Sequence, residues 1–323
     1  MTSSSSKLPC IALTLGDPAG IGPEVALAAL RDERVRAAAR VLVLGPGSLR
    51  PADVVAVAGP HEAEARAARW LDTGGPAAWD LGRVQASCGR AALAALAKGA
   101  ELATGGEVDA LVTGPVSKAA LHEAGEAVEG QTQLLGRWAG IERFQMVAIA
   151  GELRVMLLSR HMPLAAALGQ VTLPRVLDHL RLFHETLVSL GFPRPRIALA
   201  GLNPHAGERG ILGEEEGAVL EPAVEAARAE GLEVTGPCPA DTVFLRAQRG
   251  GFDGVLALYH DQAFIPVKLA APETGLTLIA GLPYLRVSPT HGTAFDIAGR
   301  GMASSATLIH ALLQAAAWTE NSR

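Results

Sequence analysis

Short apolar runs, separated by turns that contain Gly and Pro, recur along this chain of 323 residues. Apolar runs without polar alternation predict strands that are buried on both faces. The predicted strands cover residues 11–15, 41–44, 54–58, 110–112, 145–150, 154–158, 197–200, 255–258 and 276–279. The predicted helices cover residues 23–29, 87–103, 173–190, 214–230 and 303–317. Strands that alternate with helices predict an α/β fold with a largely parallel sheet.

The composition narrows the class of protein. Hydrophobic residues make up 49% of the chain and charged residues 19%, which is typical of a globular protein. The formal net charge of −5 gives no electrostatic reason to expect nucleic acid or an anionic membrane surface as a partner. Cys10, Cys88 and Cys238 form no CxxC motif, which favours a reducing compartment. Residues 1–7 are Ser-rich and no long apolar run follows, so we expect a cytoplasmic protein.

Two loops that contain glycine join a predicted strand to a helix. Residues 16–24 read Gly-Asp-Pro-Ala-Gly-Ile-Gly-Pro-Glu, and residues 113–118 read Thr-Gly-Pro-Val-Ser-Lys. Glycine lets the backbone approach a ligand, and a helix start offers N–H groups to a phosphate. The first loop matches neither the Walker motif nor the dinucleotide fingerprint. For both loops, a structural turn or helix cap explains the sequence about as well as a ligand site does.

Polar side chains gather after the predicted strand at 255–258. His260, Asp261 and Gln262 follow it closely, and Lys268 comes next. Ligands of open α/β sheets bind at the carboxyl ends of the strands. A His can bind a metal, a neighbouring carboxylate can orient its ring, and a Lys can bind an anion. A surface turn would explain any one of these residues, but their combination favours a site.

His161 and His205 also follow predicted strands, at 154–158 and 197–200. If these strands and the strand before His260 are neighbours in one sheet, the three imidazoles converge at its carboxyl edge. Three His ligands with an open position describe a catalytic divalent metal site. Taken singly, each His could equally be structural or solvated.

Arg286 and Ser288 lie not far behind Lys268 in the sequence. An Arg and a Lys that approach one pocket suit a phosphate or a carboxylate. Two solvated cations are the alternative interpretation of Lys268 and Arg286.

Taken as a whole, the chain resembles the 4-hydroxythreonine-4-phosphate dehydrogenase family of vitamin B6 biosynthesis. The matching segments are residues 16–24, 113–118, 201–207, 239–242, 260–262, 265–268 and 291–301. They span nearly the whole chain in the family's order. The resemblance implies two α/β/α domains of the isocitrate/isopropylmalate dehydrogenase type, with the active site in the cleft between them. We predict a first domain of residues 1–128 plus 290–323, and a second domain of residues 129–289 that carries a homodimer interface.

The resemblance also implies roles for individual residues. The metal ligands it implies are His161, His205 and His260, with the dimer partner contributing to each site. The substrate contacts it implies are Gln131, Thr132, Lys268, Thr277 and Arg286. The catalytic residues it implies are Lys268, Asp261 and Asp241, of which the two aspartates orient the histidines or shuttle a proton. The metal is commonly zinc in the family, with magnesium or cobalt as alternatives, and NAD or NADP accepts the hydride. The residues that bind the nucleotide are not identified.

Two positions depart from the family pattern. Gln131-Thr132-Gln133 stands where the family usually has His-Thr-Glu, and Thr277 stands where it usually has Asn. The implied activity is the metal-dependent, NAD(P)-linked oxidation of 4-phosphooxy-L-threonine to a 3-oxo acid. This acid decarboxylates to 3-amino-2-oxopropyl phosphate. A related dehydrogenase of D-threonate 4-phosphate or of a cis-dihydrodiol dicarboxylate is the alternative.

Two further classes of function remain open from the residues alone. One is a metal-dependent hydrolase that uses the same three histidines and a bound water. The other is a phosphate-ligand binding protein without turnover. Reduction of a nucleotide would separate the dehydrogenase from the hydrolase, and tight metal binding would count against the simple binding protein.

Overall fold

The computed structural model of the protein describes residues 8–60, 68–128, 130–271 and 273–321, so the Ser-rich start at residues 1–7 lies outside the described residues. The chain forms two compact units. Unit 1 comprises the residues up to Glu142 together with Leu282–Asn321, and unit 2 comprises Arg143–Gly281. Residues 129–142 and 282–289, which the sequence analysis placed in the second domain, belong to unit 1.

The elements alternate along the chain. The first part of unit 1 contains β1 (Cys10–Thr14), α1 (Gly22–Arg31), α2 (Glu33–Ala38), β2 (Arg40–Gly45), β3 (Val55–Ala56), β4 (Arg69–Asp72), α3 (Ala86–Thr104), β5 (Ala110–Thr113), α4 (Lys118–Glu123) and α5 (Gln131–Trp138). Unit 2 contains β6 (Gln145–Ala150), β7 (Leu153–Leu157), α6 (Leu164–Leu168), α7 (Leu173–Ser189), β8 (Ile197–Ala200), α8 (Glu221–Ala229), β9 (Val234–Cys238), α9 (Ala240–Gln248), β10 (Gly254–Ala257), α10 (His260–Ala270) and β11 (Leu276–Ala280). Unit 1 is completed by β12 (Leu285–Pro289) and α11 (Ala306–Asn321).

The sheet of unit 1 is parallel throughout, in the order β3-β4-β2-β1-β5-β12. All five residues of β1 are buried, as expected for a parallel strand covered on both faces. From β1 the chain passes to β2 on one side, and after β4 it returns through α3 to β5 on the other side. The strand order therefore reverses beside β1, which is where open α/β sheets leave a crevice for ligands.

The sheet of unit 2 is mixed, in the order β11-β6-β7-β10-β8-β9. The pairs β11–β6 and β6–β7 are antiparallel, and the remaining three pairs are parallel. Thus β7, β10 and β8, which precede His161, His260 and His205, are parallel neighbours. The arrangement that the metal hypothesis requires of these strands is present.

The α/β prediction is confirmed, and three of the differences from the sequence-based expectation bear on the site. Residues 260–268 begin a helix rather than a loop, and this helix contains Pro266 in its interior, where a sequence pattern predicts a break. The predicted helix at 214–230 is divided into a π-helical segment, Glu216–Leu220, and α8. Arg286 lies in strand β12, which the sequence analysis did not predict. No helix within the described residues is long and apolar enough to cross a bilayer.

Candidate functional site

Side-chain hydrogen bonds join the carboxyl ends of β7, β10 and β8. The Ser159 hydroxyl donates to the Leu258 carbonyl at 2.8 Å. Gln262 accepts from the Leu258 N–H at 2.7 Å and donates from Nε2 to the Gly201 carbonyl at 2.8 Å. Gln262 is buried, so its amide is a fixed brace between the loops that carry His260 and His205. The sequence analysis noted Gln262 after the strand without giving it a role, and the structure shows that it positions the two loops.

His161 and His260 lie side by side, with ring centroids 4.8 Å apart. His260 Nδ1 is 2.8 Å from Asp261 Oδ1. An ionised carboxylate only accepts hydrogen bonds, so Nδ1 carries the proton and the lone pair of Nε2 remains for a ligand. The predicted orienting role of Asp261 has geometric support here. This contact is partly solvated, because the Asp261 side chain is 75% exposed.

One face of α10 presents His260, Phe264 and Lys268 at intervals of four residues. The Phe264 ring stacks on His260 at 4.6 Å and 27°, and Lys268 Nζ lies 5.9 Å from the centroid of the same ring. Side chains four residues apart meet on a helix surface, so one aromatic ring supports both functional groups. The sequence analysis missed Phe264, because its i+4 spacing from His260 has meaning only once residues 260–270 are recognised as a helix.

His205 lies in a segment with an unusual backbone. Five consecutive residues, His205 to Arg209, have positive φ values between 45° and 76°. Residues other than glycine rarely adopt this left-handed conformation, so the segment needs support from outside. Glu216, buried in the π-helical segment, supplies it: Oε1 accepts from the N–H groups of Leu202 at 2.9 Å and Asn203 at 2.7 Å. Oε2 accepts from Asn203 Nδ2 at 2.9 Å.

The three predicted metal ligands are gathered only in part. Within the described ranges, no group of three or more His, Cys, Asp or Glu side chains is close enough to hold a metal ion. His161 and His260 form a pair of imidazoles with an orienting carboxylate, which suits zinc and related divalent metals. His205 is exposed and does not complete a three-membered group with them in one chain. Within the described part of one chain, His161 and His260 are therefore the two predicted ligands that lie together, and they do not form a complete donor set.

The predicted catalytic residues Asp241 and Asp261 line the same cavity of unit 2. This cavity has a volume of about 670 Å³ and lies between α9 and α10. Apolar side chains on its walls are unusually exposed: Ile265 is 59% and Leu269 is 79% exposed. An apolar surface that is solvent-exposed in a single chain is typical of a surface that contacts another protein.

Arg286 is the centre of a second cluster, in unit 1. Its guanidinium Nη2 donates to the Thr113 hydroxyl at 2.6 Å and to Gln131 Oε1 at 3.1 Å. Gln131 Nε2 donates in turn to the Gly114 carbonyl at 3.0 Å. The amide of Gln131 cannot be flipped, because its NH2 group would then face the guanidinium and its oxygen would face a carbonyl. Thr132, the next residue of α5, is also buried.

The positive charge of Arg286 has little compensation. The side chain is 3% exposed, the groups that hold it are neutral oxygens, and no partner for its Nε is found among the described residues. Burial lowers the pKa of Arg286 to about 10, so it is still protonated at neutral pH. A buried charge without a counter-charge is unfavourable, which makes this a site that favours an anion.

The two glycine-containing loops of the sequence analysis pack against each other. The Asp17 N–H donates to the Pro115 carbonyl at 2.9 Å, and the Gly114 N–H donates to the Thr14 carbonyl at 2.9 Å. A Cβ at Gly16, where φ is +77°, would lie 2.1 Å from the Pro115 oxygen. Glycine is therefore required at this position by close backbone packing. In the second loop, Ser117 caps α4 by accepting from the Ala120 N–H at 3.2 Å.

The remaining predicted site residue, Thr277, lies in β11 opposite Ala148 and is buried. Thr113 and Glu216 are the other contributors that the sequence analysis did not assign to the site. The position of Thr113 at a strand end was a usable signal. Nothing in the sequence marks Glu216, because its role depends on a contact with a loop thirteen residues earlier.

The family described as pyridoxal phosphate biosynthetic protein PdxA matches residues 26–315 of this chain. The chain belongs to this family. The resemblance noted from the sequence motifs is thereby confirmed.

Individual relatives are similar to this chain along nearly their whole length. A D-threonate 4-phosphate dehydrogenase of Salmonella typhimurium is 40% identical over 311 residues, covering 92% of this chain and 95% of the relative. A 4-hydroxythreonine-4-phosphate dehydrogenase of Beijerinckia indica is 41% identical over 309 residues, covering 92% and 91%. Among solved structures, a 4-hydroxythreonine-4-phosphate dehydrogenase from Klebsiella pneumoniae has a TM-score of 0.87 at 38% identity, covering 96% of this chain and 99% of that chain.

Proposed function

We propose that the protein is an NAD(P)-linked, metal-dependent dehydrogenase of a phosphorylated hydroxy acid. Its proposed substrate is 4-phosphooxy-L-threonine, which is oxidised to a 3-oxo acid that decarboxylates to 3-amino-2-oxopropyl phosphate. The observation that supports this most is the buried guanidinium of Arg286, which favours an anion, in a member of the PdxA family. Relatives with about 40% identity carry dehydrogenase names.

The proposed phosphate contacts are Arg286 and Lys268, with Gln131 and Thr132 beside Arg286. Arg286 supplies the buried positive charge that attracts the phosphate, while the bonds of its Nη2 to Thr113 and Gln131 hold the guanidinium in position. Lys268 acts as a mobile point charge at the solvent-exposed end of its row on α10. Thr277 is proposed as a further substrate contact.

His161, His205 and His260 are proposed to hold the divalent metal, zinc first, with magnesium or cobalt as alternatives. When bound, the metal lowers the pKa of the substrate hydroxyl and polarises the developing carbonyl, and the nicotinamide accepts the hydride. Asp261 keeps the proton on His260 Nδ1, which directs Nε2 to the ligand position. Asp241 and Asp261 are proposed to relay the hydroxyl proton to solvent, with Lys268 stabilising the negative charge that develops.

A homodimer would explain why one chain gathers only two of the three imidazoles. The exposed Ile265 and Leu269 on α10 provide an apolar surface for a second copy, next to Asp241 and Asp261. We therefore propose that a partner subunit completes each metal site. A cytoplasmic location is proposed on the grounds of three unpaired cysteines.

Oxidation of D-threonate 4-phosphate is the second candidate. Gln131 stands where the family usually has His, and its Oε1 already accepts from the Arg286 guanidinium. A substrate ammonium group on the second lone pair of Oε1 would therefore lie next to a like charge. This favours a substrate without an amino group, as does the similarity to the Salmonella enzyme.

The decisive experiment incubates the metal-loaded protein with NAD or NADP and a panel of substrates. The panel contains 4-phosphooxy-L-threonine, D-threonate 4-phosphate, a terephthalate-type cis-dihydrodiol and the unphosphorylated analogues. We expect NAD(P)H to form with a phosphorylated substrate only, and His205→Ala to lose both metal and turnover while it keeps its fold. Phosphate release or another hydrolysis without nucleotide reduction would instead indicate a hydrolase. Tight substrate binding without any turnover would indicate a binding protein.

A further inference from the structure

A second cavity lies in unit 1, with a volume of about 430 Å³. Its walls come from the loops that follow β1, β2 and β4, represented by Pro18, Leu49 and Trp79. These three strands are parallel neighbours. The cavity therefore opens outside the carboxyl ends of adjacent parallel strands, where α/β sheets bind ligands, and its volume is within the range of small-molecule sites. None of its lining residues belongs to the Arg286 cluster.

The aromatic wall of this cavity is fixed by hydrogen bonds. The Trp79 indole N–H donates to the Pro18 carbonyl at 3.1 Å, and the Gly82 N–H donates to the Ala19 carbonyl at 2.8 Å. The loop after β4 is thus tied to the loop after β1. Because the indole N–H is already used, Trp79 offers a ligand only its ring, which suits a flat, weakly polar group. Leu81, which is 54% exposed, adds apolar surface at the rim.

Glu24 is the charged side chain that lines this cavity. Its Oε1 is buried and has no hydrogen-bond partner among the described residues. A buried acceptor without a donor is unfavourable, so a ligand that brings hydroxyl donors would satisfy it. A carboxylate can accept from two neighbouring hydroxyls at once and repels phosphate. The cavity thus combines a surface for a flat ring with an acceptor for a diol.

We propose that this cavity binds a nucleoside of the nicotinamide dinucleotide, with the base against Trp79 and the ribose hydroxyls on Glu24. This rests on the proposed function, which requires such a dinucleotide as hydride acceptor. Base and ribose diol are common to both halves of NAD, the adenosine half and the nicotinamide riboside half. If the adenosine half is bound, NAD is preferred over NADP, because the 2′-phosphate removes a donor and adds negative charge next to Glu24.

The test measures binding by calorimetry on the full chain, without substrate. The ligands are ADP-ribose, nicotinamide mononucleotide, NAD and NADP. Glu24→Gln keeps the shape of the side chain and removes its charge, and we expect about tenfold weaker binding of NAD and of one of the two half-ligands. Leu81→Glu changes a half-exposed rim residue, so the fold is retained, and its added charge should weaken NAD binding by a similar factor. Glu33→Gln is the matched control, because Glu33 is exposed on α2 and lies outside this cavity.

The four ligands distinguish which half of the dinucleotide binds in the cavity. Loss of ADP-ribose binding in Glu24→Gln, with a smaller gap between NAD and NADP, assigns the adenosine half to the cavity. Loss of nicotinamide mononucleotide binding assigns the other half. Wild-type affinity for all four ligands in both cavity variants, or no nucleotide binding by the wild type, would overturn the assignment. If the wild type reduces NAD and both cavity variants bind the nucleotides normally, the proposed function is retained and only this inference is rejected. Nucleotide binding that depends on Glu24, without hydride transfer from any substrate of the panel, would support this inference and contradict the proposed function.

Discussion

Arg286 in unit 1 is 3% exposed, and its guanidinium is held at Nη2 by a hydroxyl and an amide, whereas His161 and His205 in unit 2 are exposed. The unit 1 cluster is pre-organised within one chain, and the orientation of each group is determined by its neighbours. The unit 2 cluster has rigid strand ends, but its ligand groups are solvated and incomplete. On the proposed function, the preformed cluster of unit 1 places specificity for the phosphate in the fold of one chain, whereas the incomplete cluster of unit 2 makes metal binding depend on the assembly of two chains.

The largest expected effect is that of a substitution that removes the positive charge of the buried Arg286 cluster. Arg286→Met should weaken binding of a phosphorylated substrate by about two to three orders of magnitude, because two charge-assisted hydrogen bonds are lost. The stability of the free protein should hold or rise, since a neutral side chain replaces an uncompensated buried charge. Arg137→Met, an exposed substitution on α5, is the control for both measurements. Retained phosphate affinity in Arg286→Met would mean that the anion binds elsewhere.

Unit 2 also contains a buried imidazole, His179, which contrasts with the exposed His161 and His205. Burial lowers the pKa of His179 from 6.5 to about 4. The folded state therefore binds fewer protons than the unfolded state in this window, so stability rises with pH: it is complete above pH 6.5 and is lost as the pH falls towards 4. A shift of this size corresponds to about 3 kcal/mol. When urea unfolding is measured from pH 7 to pH 4, the free energy of unfolding of His179→Gln should fall by about 3 kcal/mol less than that of the wild type. An equal fall in the two proteins would contradict the prediction.

The left-handed segment of unit 2 should depend on one buried carboxylate. Glu216→Gln weakens its bonds to the Leu202 and Asn203 N–H groups, and we expect a loss of about 2 kcal/mol in the unfolding free energy of unit 2. Tryptic cleavage after Arg209, within the left-handed run, should accelerate. Glu215→Gln weakens an exposed contact with Asn203 and should change little. Equal cleavage rates in the two variants would show that the segment is supported by other contacts.

The smallest expected effect concerns the solvated partner of His260. Asp261→Asn should lower metal affinity by about tenfold, the lower end of the range for groups that orient a metal ligand, because this carboxylate is largely exposed. Competition with a chelator measures the affinity, and Glu225→Gln on α8 is an exposed control. An unchanged affinity would indicate that Phe264 alone orients the ring.

The sequence was sufficient for the class of fold and for the ends of the three strands that precede His161, His205 and His260, because both follow from apolar runs and their order. It was insufficient where a contact between distant residues decides the structure. The helix at His260 contains Pro266, which argues against a helix locally, and tertiary packing overrides that preference. The converging histidines followed from strand adjacency for His161 and His260, but the direction of the His205 loop depends on Glu216. The partners of Arg286 depend on the position of α5, which sequence periodicity does not give.

The division of unit 1 into two separated stretches has a consequence for synthesis on the ribosome. Residues 143–281 emerge before β12 and α11, so unit 2 can close while unit 1 still lacks a strand and its last helix. Arg286 arrives with that late strand, and β12 pairs with β5 through Arg286 and Leu111. The Arg286 cluster therefore forms only after unit 2 has been synthesised, and a nascent chain stalled before residue 285 should expose the edge of β5 and recruit chaperones.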